Sequence, residues 1–305
     1  MYRTVLRNGP WPVLLVVFIW GLNFTVVKAA LRELSPFWFN ALRFTLALGV
    51  LVGFWTRHRE RDIVLKEASP FLWVRVGILG LVGHGIYQVF FIMGLDRSTA
   101  ANAAIVLSGT PLWTASLAHL VGQERLRPQM LSGMLLAMAG VGLVVGFSGR
   151  QISVGPDVFL GNVMIVGCSW CWAFYTVFSR SLMRRVSPLT ITVLSMAVAL
   201  PVLWGAALLE GPPAWEQISL WAYLGVLYSG LLAIALSYVI WAASIRRIGA
   251  ARTAVYGNLV PVVATAAGVI LLHEKLHSYQ MLGGAVVLLG LYLVQRRSWT
   301  RTSPL

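Results

Sequence analysis

Residues 97–144 read RSTAANAAIVLSGTPLWTASLAHLVGQERLRPQMLSGMLLAMAGVGLV, and the chain writes this stretch twice. Shifted by 150 positions, Arg97, Ala100, Ala101, Ala104, Pro111, Glu124, Leu126, Gly133, Gly140, Leu143 and Val144 fall on Arg247, Ala250, Ala251, Ala254, Pro261, Glu274, Leu276, Gly283, Gly290, Leu293 and Val294. Eleven identities in 48 positions would mean little if scattered. Most sit at the start, the mid-helix proline, the acidic loop and the glycines, so the stretch reads as a duplicated helix pair. Working outward, a shift of 152 carries Trp20 onto Trp172, Lys28 onto Arg180, Arg32 onto Arg184 and Ser35-Pro36 onto Ser187-Pro188. Nearly the whole chain is one unit used twice, residues 1–150 and 151–305.

Only 11% of the 305 residues are charged, 58% are hydrophobic, and mean hydropathy is +0.77. An ordinary soluble domain carries roughly a quarter charged residues, so this chain reads as an integral membrane protein. A net charge of +14 could suggest a nucleic-acid partner. The 24 basic residues instead occupy short loops, with no basic, aromatic-studded domain to hold a polyanion. Cys168 and Cys171 lie one turn apart in an apolar span and read as small buried hydrophobes rather than a redox pair. Arg3 and Arg7 precede a full-length apolar span without a convincing cleavage site, so the first span is expected to be retained.

A hydrocarbon core of about 30 Å needs about 20 apolar residues per helix. Ten segments qualify: 11–30, 36–56, 70–94, 99–121, 128–147, 158–179, 188–209, 218–244, 250–272 and 278–296, five in each half. Loops on the N-terminal side carry 16 basic residues and those on the opposite side 5, which places both termini in the cytoplasm. Five helices per repeat oblige the second copy to enter the membrane from the opposite face. The expected fold is therefore an all-α integral membrane protein, with ten transmembrane helices as two inverted five-helix repeats.

With Trp20-Gly21-Leu22-Asn23-Phe24 in helix 1, Ser-Pro opening helices 2 and 7, Ala-Ala ahead of the prolines of helices 4 and 9, and acidic loops Glu124-Arg125-Leu126 and Glu274-Lys275-Leu276, the chain resembles the EamA family of the drug/metabolite transporter superfamily. Within it, the chain looks most like bacterial inner-membrane exporters of aromatic amino acids. The resemblance covers about residues 11–296. It implies two inverted bundles around a cavity lined mainly by helices 1, 3, 4, 6, 8 and 9, and export of small metabolites or drugs.

Candidate cavity residues follow from their depth. Pro111 and Pro261 each remove a backbone donor, which leaves the carbonyls of Leu107 and Gly257 to a ligand or a neighbouring side chain. His84 is the only well-placed group at depth that titrates near physiological pH, on one stripe with Gln88, Phe91 and Leu95 and with Tyr87 on the next row. Trp20, Trp172, Tyr175, Tyr238, Trp241 and Tyr256 supply aromatic walls. Asn23, Asn102, Ser108, Ser237 and Asn258 are too polar to face lipid, and Ser108 and Asn258 are repeat equivalents. Arg43 is expected to snorkel or pair near the periplasmic surface. Trp11, Trp38, Trp55, Trp73 and Trp221 read as interface anchors, and Gly49-x-x-x-Gly53 and Gly142-x-x-x-Gly146 as helix-contact faces.

These features point to a transporter exporting aromatic or other amino acids, or similar amphipathic metabolites, by alternating access. It is expected to act as a monomer in the bacterial inner membrane, with a small-molecule substrate, lipids as surroundings and no nucleic acid, cofactor or metal. All ten acidic residues fall in loops or at helix ends, so facilitated movement is expected rather than obligatory proton exchange. One alternative is a multidrug exporter coupled to protons through His84. Another is an intramembrane enzyme, against which stands the absence of H-E-x-x-H, a carboxylate pair in a span, or a nucleophile with its base.

Overall fold

The computed structural model describes residues 11–58, 70–98, 103, 106–146, 156–184, 186–272 and 278–295. These form ten helical stretches and, among the described residues, no strand. They are α1 (Trp11–Ala30), α2 (Pro36–His58), α3 (Pro70–Arg97), α4 (Thr110–Leu120), α5 (Pro128–Gly146), α6 (Pro156–Leu182), α7 (Pro188–Leu209), α8 (Leu220–Ile248), α9 (Ala250 to Leu272) and α10 (Ser278–Gln295). Helices α2, α3, α6, α7 and α8 are long and apolar enough to cross a membrane by length and composition. Starts follow local chemistry: Ser187 and Ser219 accept from the amides of Thr190 and Ala222, and Pro188 occupies a first-turn site where its missing N–H costs nothing.

Helices five places apart in the chain pack on one another: α2 on α7, α4 on α9 and α5 on α10. Likewise α3 packs on α6 as α8 packs on α1, and α2 meets α8 as α7 meets α3. The α5–α10 crossing is glycine on glycine. A Cβ at Gly133 would stand 2.8 Å from the Gly290 carbonyl, and one at Gly140 would stand 2.8 Å from that of Gly283. One contact climbs α5 as the other descends α10, so the two helices run in opposite directions. The expected contact faces were in a different phase: Gly49, Gly53 and Gly142 have nothing within 4 Å of where a Cβ would be. The repeat-aligned glycines carry the crossing, because only they are where backbones touch.

Two features are not anticipated by periodicity. Leu81–Ile86 in α3 and Ser229–Leu236 in α8 are π-helical, at corresponding places in the two halves. Each brings a glycine against a neighbouring backbone, Gly80 on Ser195 of α7 and Gly230 on Arg43 of α2. Each proline, moreover, follows a break in regular α-helix. Gly109 caps the regular run of α4, so Pro111 sits in its first turn, and α9 passes through a tighter 3₁₀ turn, Tyr256–Leu259, just before Pro261. Neither expected carbonyl is left open: Leu107 accepts from the Thr110 hydroxyl at 2.6 Å, and Gly257 accepts from the Val260 amide.

Of the expected interface tryptophans, Trp11, Trp73 and Trp221 are exposed, as a lipid-facing anchor requires. Trp38 is instead buried at a loop end, edge-on to Trp204 and Trp215 and donating to the Gly211 carbonyl at 2.5 Å. Trp55 donates to the Thr190 hydroxyl at 3.0 Å.

Candidate functional site

The wall of the main cavity is assembled from both halves of the chain. Helix α1 contributes Trp20 and Asn23, α2 Arg43, α3 Tyr87, Gln88 and Phe91, α6 Trp172, α8 Tyr238 and Trp241, and α9 Asn258 and Pro261; Ser108 joins from the turn before α4. The cavity volume is about 200 Å³, below the usual range of roughly 300–1,000 Å³ for ligand pockets and suited to a small solute.

Aromatic rings form one side. Trp20 lies 4.9 Å from Trp241, 5.9 Å from Trp172 and 6.4 Å from Tyr238, centroid to centroid, while Tyr87 lies 5.1 Å from Trp172. Trp20 is held by donating its indole N–H to the Ala233 carbonyl at 2.8 Å, inside the π segment of α8.

Polar groups form the other side. Gln88 Nε2 donates to the Tyr238 hydroxyl at 3.1 Å, and Gln88 Oε1 accepts from Arg43 Nη2 at 2.9 Å. Arg43 further donates Nε to Asn40 Oδ1 at 2.8 Å and Nη1 to the Ser229 hydroxyl at 3.0 Å. Among the described residues, four wall atoms are buried without a hydrogen-bond partner: Asn23 Oδ1, both amide atoms of Asn258, and Trp241 Nε1. Buried polar groups in apolar surroundings are costly unless paired, so these are the atoms a bound solute would satisfy.

Of the residues singled out from sequence, Trp20, Asn23, Tyr87, Gln88, Ser108, Trp172, Tyr238, Trp241, Asn258 and Pro261 share this wall. His84, Tyr175, Ser237, Tyr256 and Pro111 are buried away from it. His84 stacks behind the Tyr238 ring at 5.1 Å, against Tyr175 at 4.5 Å, with neither ring nitrogen partnered. Ser237 returns its hydroxyl to the Leu232 carbonyl of its own helix at 2.7 Å. Asn102 lies outside the described residues.

Arg43 departs from the expectation that it snorkels or pairs near the periplasmic surface. It is 3% exposed and on the cavity wall, not snorkelling at a surface. A signal existed: Asn40 precedes it by three positions, so two strongly polar groups share one stripe of an apolar span.

At the far end of the wall-forming helices, Glu124 closes a loop contact. Its Oε1 accepts from Arg180 Nη1 at 2.7 Å and from the Ala250 amide at 2.7 Å, tying the loop after α4 to the end of α6 and the start of α9.

The comparisons with known proteins agree with this architecture. The EamA-like transporter family matches residues 8–146 and again 159–296. A "Probable amino-acid metabolite efflux pump" of Salmonella typhimurium is 29% identical over 94% of this chain and 94% of its own length. One of the same name from Escherichia coli is 26% identical over 92% of each. An "Uncharacterized transporter" of Archaeoglobus fulgidus is 27% identical over 92% of this chain and 94% of its own. A solved crystal structure, 21% identical, superposes with a TM-score of 0.77 over 96% of this chain and 98% of its own, which speaks for the fold alone. With its two helical halves each matching, this chain belongs to the EamA-like transporter family, a family of membrane transporters that move small molecules.

Proposed function

We propose that this transporter exports aromatic amino acids and similar small amphipathic metabolites across the bacterial inner membrane, as a monomer, by alternating access between two inverted halves. The observation that carries the reading is the cavity wall: aromatic rings from α1, α3, α6 and α8 face amide and indole groups that lack partners. Such a wall stacks an apolar side chain and hydrogen-bonds a polar head. The efflux pumps of Salmonella typhimurium and Escherichia coli are named for amino-acid metabolites, which supports the substrate class.

Inversion is supported by the antiparallel run of the repeat-equivalent helices α5 and α10 and by the paired contacts Gly80–Ser195 and Gly230–Arg43. Alternating access draws on the Glu124–Arg180–Ala250 tie, which the repeat writes again as Glu274, Lys28 and Ala100, side chains outside the described residues. In the other state the second set would close the opposite end. The basic loops put the Glu124 end, with both termini, in the cytoplasm. Among the described residues no carboxylate lines the cavity, and His84 lies behind Tyr238. Both favour facilitated movement over proton exchange.

The test is flux of labelled phenylalanine, tryptophan or threonine through the purified protein in liposomes, with and without a pH gradient. Saturable flux down the solute gradient, little changed by the pH gradient, is the expected result. Movement of a lipophilic cation driven by pH, with no amino-acid flux, would replace this reading with a proton-coupled drug exporter.

A further inference from the structure

A buried cation, without a counter-charge among the described residues, stands on the cavity wall. Arg43 is 3% exposed, and among the described residues no carboxylate lies within ion-pair reach of it. Its partners are neutral oxygens of Asn40, Gln88 and Ser229, which occupy Nε, both hydrogens of Nη2 and one of Nη1. One Nη1 hydrogen remains. In hydrocarbon an ionised side chain is costly and persists where something of opposite charge meets it.

Packing does not require this charge. The repeat counterpart of Arg43 is Ser195, and the two crossings are built alike: Gly80 seats on the Ser195 backbone as Gly230 seats on the Arg43 backbone. Ser195 satisfies itself, donating to the Ile191 carbonyl of its own helix at 2.7 Å. The same helix contact thus forms around a small neutral residue in one half and a guanidinium in the other.

We propose that Arg43 is the anchor for a carboxylate, so that the transported solutes are small carboxylates with an apolar or aromatic body. This rests on the transport function proposed above and names its substrate class. Gln88 joins the guanidinium to the Tyr238 hydroxyl, so a carboxylate on Arg43 lays the rest of a small solute against the Tyr238, Trp172 and Trp20 rings. For an amine the wall offers neutral groups, among them the amides of Asn23 and Asn258, and among the described residues no carboxylate. The carboxylate is therefore required and the ammonium is dispensable. Organic cations meet a like charge and are excluded.

The test is exchange of labelled phenylalanine in liposomes, with competition by unlabelled 3-phenylpropionate, phenylalaninamide and tetraphenylphosphonium. Phenylpropionate should compete; the amide and the cation should not. Arg43→Gln should weaken phenylalanine exchange at least about tenfold, through KM more than through maximal rate, and Arg43→Lys should recover part of the loss. Phenylalaninamide competing as well as phenylalanine, or Arg43→Gln exchanging at the wild-type rate, overturns the anchor. If Arg43→Gln does not yield monodisperse protein, the wild-type competition pattern decides. If the wild type exchanges no amino acid, the amino-acid reading fails on its own, and the anchor is judged by intrinsic tryptophan fluorescence: a response to 3-phenylpropionate but not to phenylalaninamide upholds it, and no response to the carboxylate overturns it.

Discussion

Glu124 and Arg180 form an ion pair at 2.7 Å, and the same carboxylate oxygen accepts the Ala250 amide, so one charge holds the ends of α4, α6 and α9 together. Gly249, beside it, has φ +97°, and a Cβ there would stand 2.5 Å from Glu124 Oε1. The tie needs glycine both for its backbone and for its closeness.

Glu124→Gln and Gly249→Ala should therefore loosen this end. With Cys168 and Cys171 replaced by alanine and a cysteine placed at Ala254 on the wall, an impermeant maleimide should react roughly tenfold faster in either variant, the ratio that about 1.4 kcal/mol gives. Equal reaction rates in variants and parent would remove the tie from the gating cycle.

The α5–α10 crossing predicts a position-specific packing effect. Gly140→Val forces a side chain into the Gly283 backbone and should cost about 1–3 kcal/mol, whereas Gly142→Val, two residues on, meets open space. Melting of the two purified variants in detergent should show a clear drop for the first and little change for the second. Equal melting would contradict the glycine-on-glycine contact.

Trp20 and Trp172 should act on affinity. Removing either ring by alanine substitution should weaken binding of an aromatic solute roughly two- to tenfold, with a smaller effect for an aliphatic one. His84→Phe, behind the Tyr238 ring, should keep pH-independent flux. Loss of pH response only in the His84 variant would revive proton coupling.

At the loop between α1 and α2, Glu33 accepts from the Ser219 amide at 2.6 Å and from its hydroxyl at 2.9 Å. These bonds, the amide first, hold the Glu33 carboxyl below its ordinary 4.5. A depressed carboxylate contributes stability above the unfolded-state pKa and loses it as pH falls through the folded one. Glu33→Gln should thus lower the melting temperature at neutral pH, with the difference closing only at pH values under 4.5. A difference that persists unchanged in acid would mean the bonds do not depend on the charge.

How much of this was legible varies by residue. The paired Trp20 and Trp172, and Ser108 and Asn258, were visible from the repeat, and all four line the cavity. His84 was grouped with Gln88, Phe91 and Leu95 on one helical stripe, yet only the last three reach the wall. The π segment Leu81–Ile86 explains the split. Its turns hold more residues than the roughly 3.6 of an α-helix, so the stripe loses phase between His84 and the residues after it, and no periodicity count anticipates it.

Composition and repetition by themselves marked this chain as a helical membrane protein with two halves of similar pattern, because hydrophobic length and residue identity are local properties; the family match to each half agrees. Which polar groups lack partners, which glycines touch and where the Arg43 charge sits were decided only in the tertiary structure. Each depends on what another helix, far away in the chain, places opposite.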